Sequence, residues 1–326
     1  MNNRIKYLKR IIKAYLLGKK NSNLSFWHTS LKINNIKDYT KLGRYYMNFV
    51  EKTKFQGPFD AGDVPMLDYK GDIGIQYNPN AVAQYALGLH DLFIDTGNSK
   101  YEESFLKQAN WFLKNIRVIN GDVGLWEYKF DFEYHKGLKT PWHSALAQGQ
   151  GISVLVRAYL LTKDKTYLEI SSKAFNAFKH KIDEPGGVTF IDDNGYIWFE
   201  ELIFNPPTHV LNGFIYALWG VYDYYLVTKD QESLYLFKEG VRTLKDHIGK
   251  YDIGFWSVYH LVPTKLKMIA SPYYQRLHIL QLKVMYKITG EEIFLMYANK
   301  WKKGYSKIYN RVFALLWKSL FKLIYY

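Results

Sequence analysis

The chain has 326 residues, of which 18% are aromatic, no cysteine, and a formal net charge of +14. This length allows one large domain or two ordinary ones, and the lack of cysteine excludes disulfides and thiol chemistry. The longest apolar stretch of the basic N-terminus is too short for a signal peptide. The sequence contains no run of eighteen apolar residues, so no membrane-spanning helix is predicted. We therefore expect a cytoplasmic protein.

The excess positive charge lies at the two ends of the chain. Residues 1–22 hold seven basic residues and no acid, and residues 299–326 hold seven more and again no acid. Apolar residues recur at helical spacing in both, which predicts basic amphipathic helices at 1–22 and 304–326. Such helices either bind an anionic membrane surface, here the inner face of the plasma membrane, or pack on the protein with their lysines in water. Both interpretations stay open, and the absence of a nucleic-acid-binding motif predicts no nucleic acid partner.

Residues 23–303 contain a repeat and are predicted to form the catalytic domain. Four segments share an apolar helix, a short polar turn with a threonine, and a more polar helix. The turn threonines, spaced 66, 66 and 61 residues apart, are Thr96, Thr162, Thr228 and Thr289. A fixed period indicates a repeat of αα-hairpins. The apolar first helices would form an inner ring and the amphipathic second helices an outer ring, which predicts a mainly α fold, an α/α-toroid or incomplete α/α-barrel. Residues 30–55 are expected to add a further helix.

Long links join each hairpin to the next, at roughly 117–143, 182–208 and 249–272. Links of this length usually carry function. Their sequences favour short strands, and Asp193-Asn194-Gly195 predicts the turn of a β-hairpin. Because every link joins an outer helix to the next inner one, all three are expected to emerge at one end of the toroid. That end would form a cleft with aromatic and acidic side chains, which suits a sugar chain.

Two segments carry a resemblance to a known family. The first is WFEEL at Trp198–Leu202 with the run HVLNGFIYALWGVYD that follows it, and the second contains YDIGFWSVYHL and ASPYYQRLHILQL. They resemble the C-terminal catalytic region of the glucuronyl C5-epimerases, which invert C5 of glucuronic acid within a polysaccharide of the heparosan type. The resemblance spans most of residues 60–303. One departure is Leu202, where the family usually has a tyrosine.

The resemblance implies a site that removes the C5 proton of a uronate and returns a proton on the opposite face. It places Glu201 and Tyr274 as the two acid/base groups, and Tyr259 as a hydrogen-bond donor to the substrate carboxylate or the developing enolate. A tyrosine base needs nearby positive charge to lower a pKa of about 10, and Arg276 or His278 would supply it. This scheme needs no metal or organic cofactor.

Other side chains in these segments are predicted to contact the glycan. They are Trp126, Trp142, Gln148, Trp198, Glu200, Asn212, Trp256, Arg276 and His278. His278 is also open to interpretation as a core histidine, because a histidine on an apolar helix face is often buried for structural reasons. Arg157 and Asp223 are interpreted as structural partners.

Two other functions stay open. A polysaccharide lyase begins with the same abstraction of the C5 proton and then eliminates the substituent at C4. A catalytically inactive glycan-binding protein attached to a membrane is compatible with Leu202. In every case the partner is a uronic-acid-containing glycan, and the sequence does not indicate the oligomeric state.

Overall fold

The structure is a computed structural model that describes residues 26–69, 71–132 and 137–325. The predicted N-terminal helix at 1–22 lies outside the described residues. The chain divides into two compact units. The large unit consists of Asn34–His209 and Gly213–Thr243, and the small unit contains Val210–Asn212 with the described residues of the ranges 1–33 and 244–326.

In the part of the chain that the structure describes, eight helices follow one another as four αα-hairpins, which confirms the interpretation of the repeat. The pairs are α1 (Pro79–Thr96) with α2 (Ser99–Lys114), α3 (Ala145–Thr162) with α4 (Thr166–Asn176), α5 (Leu211–Thr228) with α6 (Gln231–His247), and α7 (Pro272–Thr289) with α8 (Glu292–Ser306). Helix α9 (Ile308–Tyr325) then occupies most of the predicted C-terminal segment. None of the helices within the described ranges is long and apolar enough to cross a bilayer.

The turn threonines explain why the hairpins recur. The hydroxyl of Thr96 donates to the carbonyl of Leu92 at 2.7 Å, and its oxygen accepts from the N–H of Asn98 at 3.2 Å. The same pair of bonds is made by Thr162, Thr228 and Thr289. The next residue has positive φ in every case: Gly97, Lys163, Lys229 and Gly290. Each threonine therefore ends one helix and sets the turn into the next.

The third predicted link, roughly 249–272, holds isolated β-bridges and no strand among its described residues. Short antiparallel strands lie in the first and second links, as predicted, and also before α1. They form three pairs: β1 (Met66–Asp68) with β2 (Ile75–Tyr77), β3 (Arg117–Ile119) with β4 (Val123–Leu125), and β5 (Thr189–Ile191) with β6 (Ile197–Phe199). The turn between β5 and β6 contains Asp193-Asn194-Gly195, and Gly195 has a φ of +76°. The carboxylate of Asp192 accepts from the N–H groups of Asn194 and Tyr196, which fixes the predicted hairpin.

The first helix of the second hairpin is buried nearly all round, as its apolar sequence predicts, whereas α1 buries eleven of 18 residues and α7 nine of 18. In α3 fourteen of 18 residues are buried, whereas α4 buries only four of 11. Helices α3 and α5 approach so closely that a Cβ on Gly220 would collide with the backbone of Gly149. Close packing of helix backbones of this kind places the large unit's core along its first helices.

The prediction of a helix within residues 30–55 is wrong. In the described residues from 26 to 55 the helical segment is Val50–Lys54, a five-residue 3₁₀ helix. Tertiary contacts hold the irregular chain around it. Tyr46 donates its hydroxyl hydrogen to Asp223 at 2.8 Å, and the Nε–H of Arg157 donates to the carbonyl of Gly43 at 2.8 Å.

Arg157 of α3 and Asp223 of α5 form a buried ion pair in the large unit, with Nη1 and Oδ2 separated by 2.6 Å. The guanidinium also donates to the carbonyls of Ser153 and Arg44. The charges are thus paired and hydrogen-bonded, as burial requires. The interpretation of both residues as structural partners is confirmed.

Candidate active site

Glu201 follows strand β6, and its side chain lies over the first turn of helix α5. A Cβ on Gly213, the third residue of that helix, would collide with Oε2 of Glu201. Gly213 therefore leaves the space in which this half-buried carboxylate sits. Burial raises the pKa of Tyr128 well above its usual value, and the charge of nearby Glu201 adds to this effect.

An aromatic pair lies near Glu201 in the large unit. The rings of Tyr128 and Trp142 stack with centroids 3.8 Å apart and planes 4° apart. The indole N–H of Trp142 donates to the carbonyl of Phe130 at 2.8 Å, and backbone bonds between Tyr128 and Trp142 fix the pair. Trp142 is only partly buried. Its rigidly held ring is therefore suited to stack on a sugar, the role predicted for it.

His209 is a candidate that the sequence reasoning missed. Its Nδ1 lies 2.6 Å from Oε1 of Glu200, and the N–H groups of Thr208 and His209 donate to Oε2 at 3.2 and 3.0 Å. The imidazole stacks on Trp198 with centroids 4.1 Å apart. Glu200 and Trp198, both predicted to contact the glycan, are almost fully buried and instead hold His209 in place. The sequence feature that could have indicated His209 is its position directly after the second predicted link, roughly 182–208.

Trp126 and Gln148 belong to the core of the large unit. The indole N–H of Trp126 donates to the carbonyl of Phe112, and a Cβ on Gly151 would collide with the ring. The amide of Gln148 accepts from the N–H of Trp126 and donates to the carbonyl of Gly124. Both side chains are fully buried, so the structure gives them a packing role in place of the predicted contact with the glycan.

In the small unit the structure brings Tyr259 and Tyr274 together, with ring centroids 4.9 Å apart and planes at 65°. Tyr274 lies in the first turn of α7, where its N–H donates to the side chain of Ser271. The backbone of Tyr259 bonds to Met268 on one side and Leu211 on the other. The third link thus places one predicted site tyrosine against the other.

His278 is a core residue of the small unit. Its Nδ1 lies 2.9 Å from Oγ of Ser257, and that hydroxyl lies 2.6 Å from Oε1 of Gln275. Burial lowers the pKa of His278 to about 3, so the imidazole is neutral at pH 7. A neutral ring supplies no positive charge to Tyr274, which corrects that predicted role. The alternative interpretation as a core histidine fits the structure.

Three other predicted contacts also lie in the small unit. Trp256 is fully buried, with its indole N–H donating to the carbonyl of Ala270 at 2.8 Å, so it packs the core. Asn212 is nearly buried, and its carbonyl accepts from Gln281. Arg276 is exposed. Burial raises the pKa of Tyr273, and the charge of Arg276 opposes that rise, so Arg276 lies near the phenol of Tyr273.

Solved structures define the class of this fold. The GH76A α-1,6-mannanase of Salegentibacter sp. HEL1_6 matches with a TM-score of 0.51 over 78% of this chain and 68% of that chain, at 16% identity. An inactive variant of the same enzyme gives a TM-score of 0.51 at 15% identity. The fold is therefore that of the α/α-toroid enzymes, mainly helical with short β-hairpins, as the repeat predicts.

The family follows from the sequence. The profile of the D-glucuronyl C5-epimerase C-terminus matches residues 120–303, more than half of the chain, and the protein belongs to this family. An uncharacterized protein of Methanocaldococcus jannaschii is 35% identical over 192 residues, which are 58% of this chain and 59% of that protein. The D-glucuronyl C5-epimerase of Caenorhabditis elegans is 33% identical over 220 residues, 62% of this chain and 35% of that enzyme. Each match spans less than two thirds of the relative's own length.

Proposed function

We propose that the protein is a uronate C5-epimerase that converts D-glucuronate to L-iduronate units in a glycan. The observation that carries the proposal is the pair formed by Tyr259 and Tyr274 at the first turn of α7, within the range that matches the epimerase family. Two phenols held together by the third link and the start of α7 are suited to bind a carboxylate and to move a proton.

The reaction is difficult because the proton removed from C5 lies next to a carboxylate, so its loss gives a dianionic enolate. In the scheme that the family resemblance implies, one acid/base group takes the C5 proton and another returns a proton to C5, and Glu201 and Tyr274 are the candidates for these two roles. Tyr259 donates a hydrogen bond to the charge that develops on the substrate carboxylate. Exposed Arg276, two residues after Tyr274, is the candidate source of positive charge, and Trp142 is the candidate to stack on a sugar ring. His209, held by Glu200 through Nδ1, leaves Nε2 as a further polar atom.

Exchange with solvent tests the proposal. Incubation of the protein with a glucuronate polymer in deuterated water is expected to place deuterium at C5, measured by mass spectrometry and NMR. Glu201→Gln and Tyr274→Phe are each expected to reduce this incorporation by about 100-fold or more, the usual contribution of an acid/base group. Glu169→Gln and Tyr235→Phe change exposed residues of the same types and serve as matched controls. Absence of C5 deuterium from every uronate polymer tried would refute the proposal.

One observation favours a second candidate, a protein that binds the glycan without turning it over. Leu202 is buried and offers no hydrogen-bonding side chain at the position where the family usually has a tyrosine. Binding of a uronate polymer without any deuterium exchange would support this alternative. A lyase would instead give an unsaturated product that absorbs in the ultraviolet, so the same incubation separates all three functions.

A further inference from the structure

Helix α9 is attached to the small unit by one narrow face. Asn310, Ala314 and Phe321 are buried on this side, and the side-chain amide of Asn310 donates to the carbonyl of Gly304 at 2.9 Å. The amine of Lys318 donates to the carbonyl of Ile269 at 3.0 Å. These contacts fix which side of the helix faces the protein.

The opposite side of α9 is apolar and exposed to solvent. The exposed stripe, as we name it, consists of Ile308, Tyr309, Val312, Phe313, Leu316, Leu320, Leu323 and Ile324. Leu316 is 61% exposed, Leu320 50% and Leu323 83%. A helix that is merely packed on a globular domain shows the reverse arrangement, with its apolar side inward. A continuous apolar surface of this kind marks an interaction site.

Exposed lysines lie just before α9 in the chain and in a loop that is hydrogen-bonded to it. No acidic residue follows Glu292 in the sequence, and exposed lysines precede the helix at Lys302, Lys303 and Lys307. Exposed Lys265 and Lys267 lie in the loop beside the helix. That loop is bonded to α9, since the indole N–H of Trp317 donates to the carbonyl of Lys267 and the N–H of Leu266 donates to the hydroxyl of Tyr325.

We propose that α9 lies flat in the headgroup region of an anionic membrane, with the exposed stripe in the acyl boundary and these lysines on lipid phosphates. A helix of 18 residues is about 27 Å long, enough to lie in the interface. Basic side chains and interfacial aromatics, here Trp317, Tyr309 and Tyr325, match this environment. Pairing with a second copy through the same face would bring the lysines of both copies together, because a symmetric interface repeats one patch. This membrane anchor, formed by α9 with its exposed stripe, is independent of the proposed catalysis.

Vesicle flotation with the full-length protein tests the anchor. The protein is expected to float with vesicles of phosphatidylcholine and 30% phosphatidylglycerol, to remain free with pure phosphatidylcholine, and to be released by high salt. Leu316→Glu combined with Leu320→Glu is expected to weaken partitioning by about tenfold or more, because both side chains leave the acyl boundary. Both are exposed, so the fold should persist with an unchanged circular dichroism spectrum and melting temperature.

Two matched variants control the interpretation. Ile75→Glu with Tyr235→Glu places the same charges on apolar residues that are 51% and 57% exposed elsewhere, and is expected to float like the unmodified protein. A second variant, which combines Ile5→Glu, Leu8→Glu and Ile12→Glu, tests the basic N-terminal segment 1–22, and this protein is also expected to float with the vesicles. The anchor is overturned if the α9 variant still floats, if only the N-terminal variant loses flotation, or if light scattering shows a dimer that the α9 variant dissociates while neither form binds vesicles.

Discussion

At the scale of single residues, the candidate catalytic carboxylate depends on the absence of a side chain opposite it. Glu201 occupies the volume that a Cβ of Gly213 would fill. Since Gly213 lies in a helix, selection for stability alone would favour alanine there by about 1 kcal/mol. The glycine is therefore explained by the carboxylate of Glu201, which it contacts within the large unit.

Gly213→Ala tests this link. The added methyl is expected to displace the Glu201 side chain and to lower C5 deuterium incorporation by about tenfold or more, because a misplacement of about 1 Å is costly in proton transfer. Gly43→Ala is the matched control, since nothing lies within 4 Å of a Cβ built there. Unchanged exchange in Gly213→Ala, at a melting temperature equal to that of the control, would contradict the assigned role of Glu201.

At the scale of elements, the hairpins could be predicted because their information is local. The threonine bonds reach only four residues back and two forward, so a period in the sequence becomes a period in the structure. The segment from 26 to 55 could not be predicted in this way. The course of its residues 43–46 is set by Arg157 and Asp223, more than a hundred residues away in the chain, and the local sequence pattern does not reflect such contacts.

Asp223→Ala is expected to destabilise the protein by about 3–5 kcal/mol, because it leaves the buried guanidinium of Arg157 without its counter-ion and Tyr46 without its acceptor. Urea denaturation followed by circular dichroism measures the change in the free energy of unfolding. Glu232→Ala breaks a surface pair with Lys179 and should cost less than about 1 kcal/mol. A loss of similar size in both variants would show that the buried pair does not fix this segment.

The candidate site shows the same division between local and distant information. Glu201, Tyr259 and Tyr274 were found from segments whose residue order resembles a family, and Tyr259 and Tyr274 do meet in the small unit. The roles of the tryptophans were harder to predict, because the sequence does not distinguish a ring that packs in the core from a ring that faces a sugar. Trp126, Trp198 and Trp256 are buried, and Trp142 is partly exposed. His209 was missed because its link to Glu200 depends on the path of the chain between them.

At the scale of the whole molecule, both units contain a buried histidine that resists protonation. Burial lowers the pKa of His90 in the large unit and of His278 in the small unit to about 3. Between pH 6.5 and about 3 the unfolded chain binds these protons and the native state does not. The contribution of each histidine to stability is therefore complete above pH 6.5 and is lost progressively as the pH falls toward 3.

By pH 4 each histidine is expected to lower the free energy of unfolding by about 3 kcal/mol relative to pH 7, since one pKa unit corresponds to about 1.4 kcal/mol. Thermal melts at pH 4, 5, 6 and 7 measure this slope. His278→Gln and His90→Gln should each flatten it, because glutamine does not titrate, even where they lower stability at pH 7. Parallel pH profiles for the unmodified protein and the two variants would mean that the acid lability of the molecule does not come from these two buried rings.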